Sequence, residues 1–99
     1  MKNTINYGRP LNAMPYAQAR VVKHGNDYEL YSYVTKVAEV KDGWLYCYGL
    51  YSMTTRRHLA AFGKEFNPSI PYHIFKDIYE YGYRYNINTS EIEKIERGC

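Results

Sequence analysis

The sequence predicts an α+β domain: a three- or four-stranded antiparallel sheet with a central β-hairpin, followed by two or three helices packed on one face. Three observations predict it. Asp42-Gly43 separates two strand-like runs, and a two-residue type I′ turn needs positive φ at both central positions, which these residue types accept. Beyond Tyr51 the apolar period changes, and Leu59, Phe62 and Phe66 recur at three- and four-residue spacing as one stripe of a helix. Ile74, Phe75 and Ile78 repeat that stripe after the break at Pro68 and Pro71.

Residues 1–16 show no periodicity and contain Gly8, Pro10 and Pro15, so they read as an extended or disordered N-terminal arm. A single α+β domain is expected over 17–88. Ala17 to Lys23 reads as a first strand, ended by the turn-prone His24-Gly25-Asn26-Asp27. Tyr28 to Tyr33 reads as a second strand that runs into Val34 to Lys41 without glycine or proline. Either one long bent strand spans Tyr28 to Lys41, or a bulge near Ser32 to Thr35 divides it.

The Asp42-Gly43 turn sets a register in which Lys41 faces Trp44, Val40 faces Leu45, Glu39 faces Tyr46, Ala38 faces Cys47, Val37 faces Tyr48 and Val34 faces Tyr51. Side chains alternate between faces. Val34, Ala38, Val40, Leu45 and Cys47 therefore share the expected core face. Val37, Glu39, Lys41, Trp44, Tyr46 and Tyr48 share the other.

Ser52 and Thr54 are good N-cap types, so the first helix should begin between Ser52 and Thr55. Gly63 either allows close packing or marks an early end. Ser69 can cap a second helix that fades near Gly82. Tyr79, Tyr81, Tyr83 and Tyr85 alternate with other residues and can form an edge strand, but the favoured reading is helix to about Tyr81 and irregular structure after it. Residues 89–99 read as a short C-terminal helix or tail, because Ser90-Glu91-Ile92-Glu93 fits a capping box.

With 99 residues, 45% of them hydrophobic and 23% charged, the chain has material for one modest core and not two. It lacks an apolar run of about 18 residues and an apolar leader, so neither a membrane span nor export is expected and the location is expected to be cytoplasmic. Cys47 and Cys99 offer no disulfide framework and read as free thiols. His24, His58 and His73 lack metal-ligand spacing. No serine elbow, glycine-rich phosphate loop or carboxylate pair stands out, so no metal, no cofactor and no catalytic residue are expected.

Two groups invite a partner. Arg56 and Arg57 stand in the first turn of the expected helix, where cations oppose the macrodipole by about 0.3–1 kcal/mol each. With Lys64 they can line a basic face for phosphates or carboxylates; the plain alternative is solvated arginines, or one paired with Glu39 or Glu65. Trp44, Tyr46 and Tyr48 share the face opposite the core, where aromatic rings stack on single-stranded bases or anchor a protein interface. The plain alternative is a second small core under another segment. The 13 tyrosines lean toward binding, because tyrosine joins a large apolar body to a polar tip. The net charge of +3 permits an acidic partner without requiring one.

Ser32-Tyr33-Val34-Thr35-Lys36-Val37-Ala38, and Tyr51, Ser52, Thr54, Thr55, His58 and Phe62 after it, resemble a domain of unknown function found in small proteins of phages and conjugative elements. The resemblance covers about Tyr28 to Phe66. It implies a small accessory protein of a mobile element and carries no mechanism. The expectation is a non-enzymatic protein that contacts a host or phage protein, inhibiting a host nucleic-acid machine such as an antiviral nuclease complex of the CRISPR-Cas kind. Direct binding of DNA or RNA is the alternative.

Overall fold

Three consecutive hairpins open the fold in the computed structural model, which describes residues 8–95. β1 (Ala19–His24) turns through Gly25-Asn26 into β2 (Asp27–Ser32), β2 turns through Tyr33-Val34 into β3 (Thr35–Lys41), and β3 turns through Asp42-Gly43 into β4 (Trp44–Cys47). Asp42 and Gly43 have φ of 54° and 82°, the positive pair that a type I′ turn requires. The register read from that turn holds, with Lys41↔Trp44, Val40↔Leu45, Glu39↔Tyr46 and Ala38↔Cys47. Asp27 steadies the turn by accepting the Asp42 amide at 3.1 Å.

The second turn corrects the sequence reading of Val34. Ser32 pairs with Thr35, so Tyr33-Val34 is a two-residue turn and Val34 is exposed there rather than packed in the core opposite Tyr51. Tyr33 takes φ of 59°, and its amide donates to the Gln18 carbonyl at 2.7 Å. A bulky residue seldom adopts that conformation, and here a contact distant in sequence holds it.

A bulge accounts for a second correction. Leu30 pairs with Ala38 but Tyr31 pairs with Lys36, which leaves Val37 as the extra residue. Val37 and Ala38 are consequently both fully buried, although alternation placed Val37 on the outer face. The same shift reverses the alternation for the residues before it and sends Lys36 outward, where it meets Glu29 and Glu39.

α1 (Met53–Gly63) starts as expected: Ser52 is its N-cap, and its hydroxyl accepts the Thr55 amide at 3.2 Å. Leu59 and Phe62 face the sheet fully buried. Phe66 lies past the helix end with its ring edge-on to Phe62 and Tyr28. A methyl group on Gly63 would overlap the Ile70 carbonyl oxygen, so this glycine lets the connection between the helices cross against α1. α2 (Tyr72–Tyr81) follows Pro71, which holds the N-cap position; Ser69 does not cap it. Phe75 and Ile78 are its buried stripe, and Gly82 ends it in the left-handed conformation.

The end of the chain differs from the expectation. Tyr83–Asn86 form β5 and Ile92–Lys94 form β6, so that the described residues make an antiparallel sheet of six strands in sequential order with two helices. The capping-box helix does not form: Ser90 has φ of 64° and its hydroxyl accepts from Tyr85, whereas an N-cap needs extended backbone. Both helices pack on one face, where Leu11, Val21, Leu30, Val40 and Leu45 meet Leu59, Phe62 and Phe75. Leu11 belongs to the segment expected as an arm. Its neighbour Arg9 bridges the edge of β1 at Val21 and pairs with Glu65. Among the described residues, no helix covers the other face.

Candidate interaction surface

The uncovered face is ordered by one transverse row. Antiparallel pairing places Val22 beside Glu29, Glu29 beside Glu39, Glu39 beside Tyr46, and Arg84 beside Glu93. Arg84 Nη1 closes the row by donating to the Tyr46 hydroxyl at 2.9 Å. Glu29 and Glu39 face each other directly, an arrangement that destabilises a sheet when uncompensated. Lys36 compensates it: its ammonium lies 3.3 Å from Glu29 and 3.1 Å from Glu39. These contacts, that with Glu39 foremost, hold the Lys36 ammonium above its usual pKa.

The three aromatic residues expected on this face are all on it, each engaged by a charged group. The Arg84 guanidinium lies over the Trp44 ring, 4.0 Å from its centre, and also donates to Glu93. Tyr48 donates to Glu39, and the Lys36 ammonium stands 5.6 Å from the centre of its ring. Burial, and then Glu39, raise the Tyr48 hydroxyl above the usual phenol range, so it stays protonated as a donor. Sequence reasoning missed Arg84, because it left that segment irregular, and Glu93, because it placed it in a capping-box helix; the signal for the first was the alternation of Tyr79 to Tyr85.

The expected basic residues stand in the other layer. Arg56, Arg57 and Lys64 are exposed on α1 or at its end, on the side of the sheet away from Trp44. Arg56 Nε donates weakly to the Leu50 carbonyl, and Lys64 is the C-cap. The fold therefore gathers Trp44, Tyr46 and Tyr48 and keeps the three cations apart from them.

Ser32, Thr55 and His58 form a third, buried cluster, with the exposed Ser52 at its edge. Ser32 Oγ lies 2.9 Å from His58 Nδ1 and 3.3 Å from Thr55 Oγ1, and Thr55 Oγ1 lies 3.3 Å from Ser52 Oγ. Ser32 and His58 are at the separation of a nucleophile and its base, but they are 3% and 1% exposed, out of reach of a substrate. What they do is fasten the start of α1 to β2. Cys47 is partly buried against the core, and burial pushes its thiol up to about 11, which keeps it protonated and a poor nucleophile.

Residues 6–77 match the model of a family of unknown function, DUF8033. The match spans well over half of the chain, and the chain belongs to that family. It takes in β1 to β4, α1 and the first part of α2. No curated protein and no solved structure matches.

Proposed function

We propose that the chain is a non-enzymatic binding protein of a phage or related mobile element, which modulates or inhibits a host macromolecular machine by protein–protein contact through the outer sheet face. An antiviral nuclease complex of the CRISPR-Cas kind is one such machine. The observation that carries the reading is the row from Glu29 to Glu93 with Trp44, Tyr46 and Tyr48 beside it, on a face that no described helix covers. Tryptophan, tyrosine and arginine are the residues that most often anchor protein interfaces. The resemblance to proteins of mobile elements supplies the biological setting.

Charge favours a protein over a nucleic acid. Lys36 and Arg84, the cations at the centre of the row, are already paired with carboxylates, and Glu29, Glu39 and Glu93 would lie against a phosphate backbone. Direct nucleic-acid binding is the second reading, favoured by three rings on one sheet face, the arrangement that stacks bases in sheet-based RNA modules.

The test is capture from host lysate, with and without nuclease, by the wild-type chain and by Trp44→Ala and Tyr48→Ala. A specific protein captured regardless of nuclease and lost in both variants is the expected result. Capture that disappears with nuclease moves the reading to nucleic acid. Capture unchanged in both variants removes the sheet face from the function.

A further inference from the structure

The sheet opens between its fourth and fifth strands. β4 pairs with β5 only at Trp44↔Asn86 and Leu45↔Tyr85. Beyond Leu45 the ladder carries no further pair, and Gly82 ends α2 in the left-handed conformation directly before Tyr83. The Ile95 amide donates to the Gly82 carbonyl at 2.9 Å and fixes that corner. The separation leaves a cleft of roughly 780 Å³ between the end of β4 and the last turn of α2.

The walls of the cleft have a definite chemistry. Ile95 supplies apolar surface over the buried Ile78, Tyr46, Tyr48 and Tyr79 supply aromatic surface, and Glu80 is the one charged residue among the described residues that line it. No cation lines it. An aromatic ring attracts a cation through the negative potential of its face, and the attraction grows as water is excluded. Tyr48 meets the Lys36 ammonium at 5.6 Å from its ring centre on the sheet face, outside the cleft. Glu80 is paired with Lys76 at 2.9 Å, but both side chains are more than two-fifths exposed, and an exposed pair of this kind is easily exchanged for another partner.

We propose that this cleft receives a lysine or arginine side chain of the partner protein, its alkyl stem against Ile95 and its charge among the tyrosine rings and Glu80. The proposal rests on the protein-partner reading above and names what the partner must offer beside Tyr46 and Tyr48. An acidic side chain would meet the Glu80 carboxylate, whose partner Lys76 stands outside the lining. A wholly apolar one would leave Glu80 and the tyrosine hydroxyls without use.

The test needs no partner. The full chain, labelled with nitrogen-15, is titrated with Nα-acetyl-lysine methylamide and separately with its uncharged analogue Nα-acetyl-norleucine methylamide. The lysine probe should shift the amides of Cys47, Glu80 and Gly82 saturably and bind about 3- to 10-fold more tightly than the norleucine probe. Tyr79→Leu and Glu80→Gln alter exposed positions of α2, so both should fold, as circular dichroism will show. Each should reduce the preference for lysine, and the two together should abolish it. Equal binding of the two probes, shifts centred elsewhere, or no saturation with lysine would overturn the proposal. The lysate capture reads Trp44 and Tyr48 against a partner, whereas this titration reads the cleft alone, so each idea fails separately.

Discussion

Arg84 spans two aromatic residues of a neighbouring strand, with its guanidinium 4.0 Å from the centre of the Trp44 ring and its Nη1 2.9 Å from the Tyr46 hydroxyl. Trp44 is the only tryptophan in the chain, so its emission reports this contact without interference. Arg84→Ala uncovers the ring and should move the emission maximum to longer wavelength while the circular dichroism spectrum is retained. Arg84→Lys should shift it as well, because a lysine cannot lay a planar group on the indole while bonding Tyr46 and Glu93. An unchanged spectrum in both variants would mean that the guanidinium does not cover Trp44 in solution.

His58 makes stability depend on pH with a defined sign. Burial holds its imidazole below the ordinary value of 6.5. As pH falls through that value the unfolded chain takes up a proton and the folded chain does not, so the unfolded state is favoured. The stabilisation is complete above 6.5 and declines below it, down to the folded pKa. His58→Gln removes the effect. The stability difference between wild type and this variant should therefore shrink from about pH 8 to about pH 5.5, and urea titrations at the two values check it.

Ser32→Ala should cost about 1–3 kcal/mol, because it leaves a buried imidazole nitrogen without its partner. Combining it with His58→Phe should cost less than the sum of the two single changes, since the pair is then removed together. Additive costs would mean that the 2.9 Å contact between Ser32 and His58 contributes nothing.

Gly63→Ala is a test of close packing. The added methyl meets the Ile70 carbonyl, a backbone atom that cannot rotate away. Alanine favours helix over glycine by about 1 kcal/mol, yet overpacking here should reverse the sign and destabilise by about 1–3 kcal/mol. A stabilised variant would show that the connection between the helices yields. Phe62→Ala, at a fully buried ring, should cost about 3–5 kcal/mol.

Salt should separate the basic group from the aromatic one. Arg56, Arg57 and Lys64 lie off the sheet face, so they act on a partner at a distance, through a field that salt screens within about 10 Å at 0.1 M. Replacing all three by alanine should slow association severalfold at low salt and have no effect at high salt. Trp44→Ala should instead speed dissociation at every salt concentration. Stopped-flow or surface-based kinetics with the captured partner distinguish the two.

What the sequence made legible was what is decided locally. Asp42-Gly43 needs only its own two residues to form a turn, and Ser52 needs only Thr55 to cap a helix, so the hairpin register and the start of α1 were readable. Tyr33-Val34 contains no turn residue and is held by the Gln18 carbonyl. Val37 is buried by a bulge that single-strand alternation does not show. Tyr83 to Asn86 become a strand because β4 offers an edge to them. The aromatic half of the surface followed from the hairpin. Glu39 followed with it, but Arg84 did not, because it meets Tyr46 from a strand that comes after both helices in the chain.

The sequential order of the strands also governs how the molecule assembles and loosens. β1 to β4 each pair with the next strand in the chain, so their loops are short and close at little entropic cost. The join between β4 and β5 must close across both helices, and it consists of only two residue pairs. Opening there frees β5 and β6 together while the first four strands stay paired. Amide protons of Arg84 to Lys94 should therefore exchange with solvent well before those of Val21, Leu30 and Val40. The clasp on Trp44, and the Ile95 edge of the cleft, are then carried by the part of the protein that should detach first.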